Sequence, residues 1–272
     1  MFVAVLAVAG GAIYFSIPQP DLPDAAAALA STESVEFEVV GGDLEFRPKS
    51  RPADIPETAG DLGLILYPGG KVDAAAYAPT ARAIAAHGFL VVITPMPLNL
   101  AVLDVDAATR VVERHPEIEG WAIGGHSLGG SMAAEYVRRQ PHVINGLVLW
   151  SSYSATDLST LRLHPLLVYG SLDAGAARMT SQDSLGKLPL PVVVRRIDGG
   201  NHEQMGWYTG QPNDPPATIT RADQQAQLVA ATVDFLETLV AGTGVTSNVR
   251  LPLGSSQHLR SVRGVGHGAA AR

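Results

Sequence analysis

Residues 121–137, WAIGGHSLGGSMAAEYV, pass from a short apolar run through a glycine-rich corner into a helix-forming sequence. Residues 121–124 read as a strand and residues 128–139 as a helix. Between them Gly125-His126-Ser127-Leu128-Gly129 has the G-x-S-x-G spacing. A serine on a sharp strand-to-helix turn projects its hydroxyl above the sheet, which makes Ser127 the candidate nucleophile. Gly125 and Gly129 suit that corner, because side chains there would crowd the neighbouring strand and helix. The first amides of the helix have no partner within it, so the Leu128 N–H is a candidate oxyanion donor. Serine is also a common helix N-cap, and capping is the plain alternative role for Ser127.

Working outward, short apolar runs alternate with helical patterns. Residues 62–67, 89–93, 147–150, 166–169 and 192–197 read as further strands. Residues 74–87, 100–115 and 223–240 read as helices, with Gly88 placed to end the first. This alternation predicts an α/β fold with a mainly parallel sheet covered by helices on both faces. VEFEVVGGDLEF (residues 35–46) predicts an antiparallel hairpin turning at Gly41-Gly42. The short stretch between residues 150 and 166 leaves little room for a lid.

A serine hydroxyl needs a base, and His202 follows the strand at 192–197, at the sheet edge that carries Ser127. The histidine needs a carboxylate to fix its tautomer and to stabilise the imidazolium. Asp173, just beyond the strand at 166–169, is the expected partner, with a turn or cap as its plain role. Asp198 is the rival, in the same loop as His202. The order Ser, Asp, His suits a nucleophile on a strand-to-helix elbow. The loop Tyr67-Pro68-Gly69-Gly70-Lys71 is expected to supply a second oxyanion donor, from the Gly70 or the Lys71 N–H. The Lys71 side chain is either a guide for an anionic substrate or a solubilising charge. Met96 and Tyr153, each just past a strand, are weaker candidates for the substrate pocket.

The bulk composition limits the alternatives. Hydrophobic residues make up 46% and charged residues 17%, as expected for a packed domain of this length. The net charge is −7, and no basic stripe interleaves with aromatics, so no nucleic-acid partner is expected. The chain has no cysteine, which excludes disulfides, thiolate metal sites and a cysteine nucleophile. No metal or organic cofactor is implied.

Residues 1–17 are mostly apolar and are expected to form a signal or membrane-anchor segment, with a helix packed on the domain as the alternative. Membrane association through the N-terminus is thus expected, and a membrane-anchored or exported location is favoured over a cytoplasmic one. Ala28-Leu29-Ala30 has the look of a cleavage site. Residues 18–34 read as a linker or short helix, 35–241 as the catalytic domain, and 242–272 as a disordered tail.

Together these residues resemble the α/β-hydrolase superfamily, and in particular its compact branch related to dienelactone hydrolases. The motifs that carry the resemblance are YPGGKVD (67–73), MPLNLAVL (96–103), GGHSLGGSMAA (124–134) and GGNHEQMGWY (199–208). It covers about residues 60–240. The resemblance implies an α/β-hydrolase fold with Ser127, Asp173 and His202 as nucleophile, acid and histidine, and residues 67–71 as the oxyanion loop. The chain departs from dienelactone hydrolases proper in carrying serine where they use cysteine. The expected activity is that of a carboxylesterase-like serine hydrolase acting on a small-molecule ester. The alternatives are an acyltransferase using the same residues and a non-catalytic binding module on the same fold.

Overall fold

The computed structural model describes residues 17–50 and 62–243. Among these, eight strands form one sheet: β1 (Val35–Val40), β2 (Asp43–Pro48), β3 (Leu62–Tyr67), β4 (Leu90–Ile93), β5 (Gly120–His126), β6 (Gly146–Trp150), β7 (His164–Gly170) and β8 (Val193–Ile197). Their order is β1-β2-β4-β3-β5-β6-β7-β8. The pairs from β4 through β8 are parallel, whereas β1 with β2 and β2 with β4 are antiparallel. Gly41 and Gly42, with φ of 62° and 95°, make the two-residue turn between β1 and β2.

The central strands β3, β4, β5 and β6 are buried along their whole length, because helices cover both faces. Leu64 and Leu66 point into a cluster with Ala81, Ile84, Leu236 and Leu239. Ile65 and Tyr67, one residue out of phase, join Ala108, Val111, Ala134 and Val137. Helices α1 (Pro23–Ala27), α2 (Ala78–Ala85) and the long α7 (Arg221–Thr243) therefore cover one face. Helices α3 (Ala107–Arg114) and α4 (Leu128–Arg139) cover the other. From β3 the chain passes through α2 to β4 on one side, then returns to β5 on the other side of β3. This reversal opens a crevice beyond the C-terminal ends of β3 and β5, where ligands bind in such sheets.

Two predicted helices are shorter than their apolar pattern. The stretch at 74–87 opens as a 3-10 turn over Ala74–Tyr77, capped by the Asp73 carboxylate accepting from the Ala75 N–H at 2.9 Å. The stretch at 100–115 is broken at Asp104, whose φ of −150° and ψ of 61° are not helical, and α3 begins only at Ala107. Two four-residue helices, α5 (Ala176–Met179) and α6 (Gln182–Leu185), were not foreseen, being too short for a periodic signal.

The expectations for the N-terminus need correction. Among the described residues no helix is long and apolar enough to cross a membrane. The expected anchor at residues 1–17, and the membrane-anchored or exported location inferred from it, thus gain no support from the structure, and all of that segment but Ile17 falls outside the described residues. Residues 1–16 lie outside the described residues, as do 244–272, where most of the tail was placed. The cleavage-like Ala28-Leu29-Ala30 follows α1, and Ala28 is wholly buried in the core. Residues 18–34 are pinned to the body: Gln19 N–H donates to Lys71 O at 2.8 Å and Leu22 N–H to Trp207 O at 2.9 Å.

Candidate active site

Ser127 ends β5 and opens α4, with φ of 53° and ψ of −119°. A positive φ at a residue with a side chain costs about 1–3 kcal/mol and persists only where its surroundings impose it. Here the Ser127 N–H donates to Trp150 O at 3.0 Å, and the Ser127 carbonyl accepts from the Ser152 hydroxyl at 2.6 Å. The corner can approach β3 this closely only with glycines on either side. A Cβ on Gly125 would lie 2.2 Å from Tyr67 O, and one on Gly129 would lie 2.1 Å from it. The Ser127 side chain makes no capping hydrogen bond to α4. Its hydroxyl is thus not occupied by the plain N-cap role.

Asp173 follows β7 and its carboxylate is buried. One oxygen accepts from His202 Nδ1 at 2.8 Å and the other from the Gly175 N–H at 2.7 Å. Burial alone pushes this carboxyl up. The His202 hydrogen bond and charge, with the Gly175 N–H, outweigh it and hold the carboxyl below the ordinary range. The ionised carboxylate only accepts, so His202 carries a proton on Nδ1 and turns Nε2 to other uses. Asp198 takes no part: it pairs with Arg196 at 2.9 Å, and its side chain is 82% exposed.

His202 is further fixed from the far side. The Asp214 carboxylate accepts from the backbone N–H of His202 at 3.2 Å and of Glu203 at 2.7 Å. Burial raises the Asp214 carboxyl, and those two N–H groups work against the rise. Ser127, Leu128, Tyr153, Asp173 and His202 line one cavity of about 370 Å³, whose outer wall includes Gln211 to Asp214. Tyr153 thus lines the same cavity as Ser127. Met96 is buried in the core and is not among the residues that line this cavity.

The loop after β3 distinguishes its two candidate amides. Lys71, at φ of 62°, donates its N–H to Asn99 O at 2.9 Å. That amide is spent on the neighbouring loop. The Gly70 N–H and the Leu128 N–H make no hydrogen bond among the described residues. Gly70 packs against Leu128, with its Cβ position 3.2 Å from a Leu128 methyl carbon.

One residue in the motif has a role that spacing alone did not show. His126 is wholly buried, with its ring centroid 4.4 Å from that of His202. Its Nδ1 lies 2.8 Å from the Tyr77 hydroxyl. Burial, and secondarily the charge of His202, drive its pKa well below the ordinary histidine range, so it stays neutral.

The fold agrees with what comparison with known proteins shows. A model of the Alpha/beta hydrolase family matches residues 63–226, from β3 into α7. The chain belongs to the alpha/beta hydrolase family. In overall structure this hydrolase is similar to a predicted CIB-like hydrolase from Thermoplasma acidophilum, with a TM-score of 0.50. The match covers 75% of this chain and 97% of that one at 17% identity, a likeness of fold alone. No curated protein matches it. Family membership points to a hydrolase-type enzyme, and the structure supplies a buried His–Asp pair; the bond that is cut is argued from the site.

Proposed function

We propose that this hydrolase cleaves small esters through Ser127, His202 and Asp173 by way of an acyl-enzyme. The observation that carries the reading is the 2.8 Å contact between His202 Nδ1 and buried Asp173, made at the wall of a cavity that Ser127 also lines. In the first step Ser127 Oγ attacks the ester carbonyl carbon while His202 Nε2 takes the hydroxyl proton. The Leu128 and Gly70 N–H groups hold the oxyanion, and collapse of the intermediate expels the alcohol, which receives the proton from His202. Water then attacks the acyl-enzyme with His202 as base again, releasing the acid and restoring Ser127. The Asp173 carboxylate keeps the imidazole in the needed tautomer and stabilises the imidazolium. The resemblance to the dienelactone-hydrolase branch supports the same three roles and leaves the substrate open.

Hydrolysis of short-chain 4-nitrophenyl esters tests the reading. The wild type is expected to show steady turnover, and Ser127→Ala and His202→Ala to lose it by about 10³-fold or more. Turnover by Ser127→Ala equal to the wild type would exclude the assignment. Adding an acceptor alcohol and analysing products separates hydrolysis from acyl transfer: the free acid is expected to remain the main product.

A further inference from the structure

We infer that Arg178 makes this hydrolase selective for esters that carry a carboxylate in addition to the bond being cut. The inference rests on the ester-hydrolase reading above and names the substrate class of the same cavity. Arg178 lies on α5 and lines the cavity together with Tyr153 and Ser127. Its guanidinium carbon sits 4.3 Å from the centroid of the Tyr153 ring. An aromatic face attracts a guanidinium and leaves its N–H groups available to a planar anion.

The charges around it leave that guanidinium uncompensated. The two acids of the cavity wall are otherwise engaged: Asp173 with His202 and the Gly175 N–H, Asp214 with the His202 and Glu203 amides. Among the described residues Arg178 has no carboxylate within ion-pair distance, unlike Arg110, Arg114, Arg138 and Arg139, each of which has at least one. Its backbone is also tied to the chemistry. The Arg178 N–H donates to Gly175 O at 3.0 Å, and the Gly175 N–H donates to Asp173. The Arg178 backbone is thus held in fixed relation to the acid that orients His202. A cavity of about 370 Å³ suits a short ester with a charged end.

The test compares matched esters that differ in one charge. On the acyl side these are mono-4-nitrophenyl glutarate and 4-nitrophenyl valerate; on the alcohol side, 4-acetoxybenzoate and phenyl acetate. In at least one pair the wild type is expected to favour the anionic ester in kcat/KM. In Arg178→Gln that preference should fall by about 10–100-fold, as expected for a lost charge-assisted contact, with part of it restored in Arg178→Lys. Exposed Arg195, mutated to Gln, serves as the surface-charge control and should leave the preference unchanged. A preference absent in both pairs, or the same in Arg178→Gln, overturns the inference. Calorimetry on Ser127→Ala separates this claim from the catalytic one, since monomethyl glutarate should bind about 10-fold more tightly than dimethyl glutarate only when Arg178 is present. If no ester is turned over, an Arg178-dependent difference in binding still supports the anion site, and equal binding rejects it.

Discussion

The Tyr77 hydroxyl accepts the Gly69 N–H at 3.0 Å and lies 2.8 Å from His126 Nδ1, joining the loop after β3 to the residue before Ser127. The Tyr77 hydroxyl and His126 Nδ1 share one hydrogen bond, and burial keeps the imidazole neutral. Tyr77 and His126 are both buried, which makes the link costly to break. Replacing Tyr77 by Phe leaves a buried N–H and a buried ring nitrogen unpaired, at a cost of about 1–3 kcal/mol each if neither relaxes. Because the strained loop carries the proposed Gly70 donor, kcat should fall by about 10-fold while KM changes little. His126→Asn, which keeps a short polar acceptor, should retain more kcat than His126→Leu. Steady-state kinetics and urea unfolding of the three variants check this.

Asp173 carries a pH prediction whose sign follows from its lowered pKa. A carboxyl held below its unfolded value stabilises the fold above that value, and the stabilisation is lost as pH falls through the folded pKa. The unfolded value is near 3.8. The stability difference between wild type and Asp173→Asn should thus be full near neutral pH and shrink below about pH 4. At neutral pH Asp173→Asn should also lose about 10³–10⁴-fold in kcat, because the amide no longer enforces the Nδ1–H tautomer. Urea melts from pH 3 to 7, paired with ester kinetics, give both readouts.

A second ion pair should govern stability without touching catalysis. Glu45 on β2 accepts from His115 Nε2 at 3.0 Å and from Arg114 at 3.2 Å, joining the N-terminal hairpin to the end of α3. Burial raises the Glu45 carboxyl, but the His115 and Arg114 contacts outweigh it and the net shift is downward. The Glu45 hydrogen bond raises His115, against the effect of burial. The Glu45 share is lost as pH falls through its lowered pKa, and the His115 share as pH rises through its raised one. The cost of Glu45→Gln should therefore be largest between the ordinary values of 4.5 and 6.5, at about 3 kcal/mol. Ester turnover by folded Glu45→Gln should stay close to wild type.

What could be read from the sequence was whatever has a local cause. The strand-to-helix corner at Ser127 was legible because an apolar run, two glycines and a helix pattern sit side by side. His202 and Asp173 were legible because each directly follows a strand. The Lys71 amide could not be resolved, because its use depends on a left-handed φ that turns it to Asn99. Met96 could not be placed, because nothing in a loop sequence says which way a side chain points. The Tyr77–His126 link joins residues far apart in the chain, and Arg178 sits on a helix of four residues. Neither leaves a periodic trace.

The closeness of the corner to β3 gives a sharper test of local geometry. A methyl at Gly129 would stand 2.1 Å from Tyr67 O and 2.4 Å from Pro68 O, both backbone atoms that cannot swing aside. Gly129→Ala should therefore cost about 3 kcal/mol or more and reduce ester turnover strongly in whatever fraction folds. Ala133, one turn on in α4, is wholly buried without such a constraint from glycine, and Ala133→Gly should cost only about 1–2 kcal/mol. Urea denaturation of the two variants ranks them.

The central claim is that Ser127 is a nucleophile activated by His202. It is tested most directly by labelling the full chain with a fluorophosphonate and locating the adduct by peptide mass spectrometry. The prediction is one adduct on Ser127 in the wild type, none in Ser127→Ala, and labelling slowed by at least about 10²-fold in His202→Ala. An adduct that persists in Ser127→Ala, or a folded wild type that is not labelled, would contradict it.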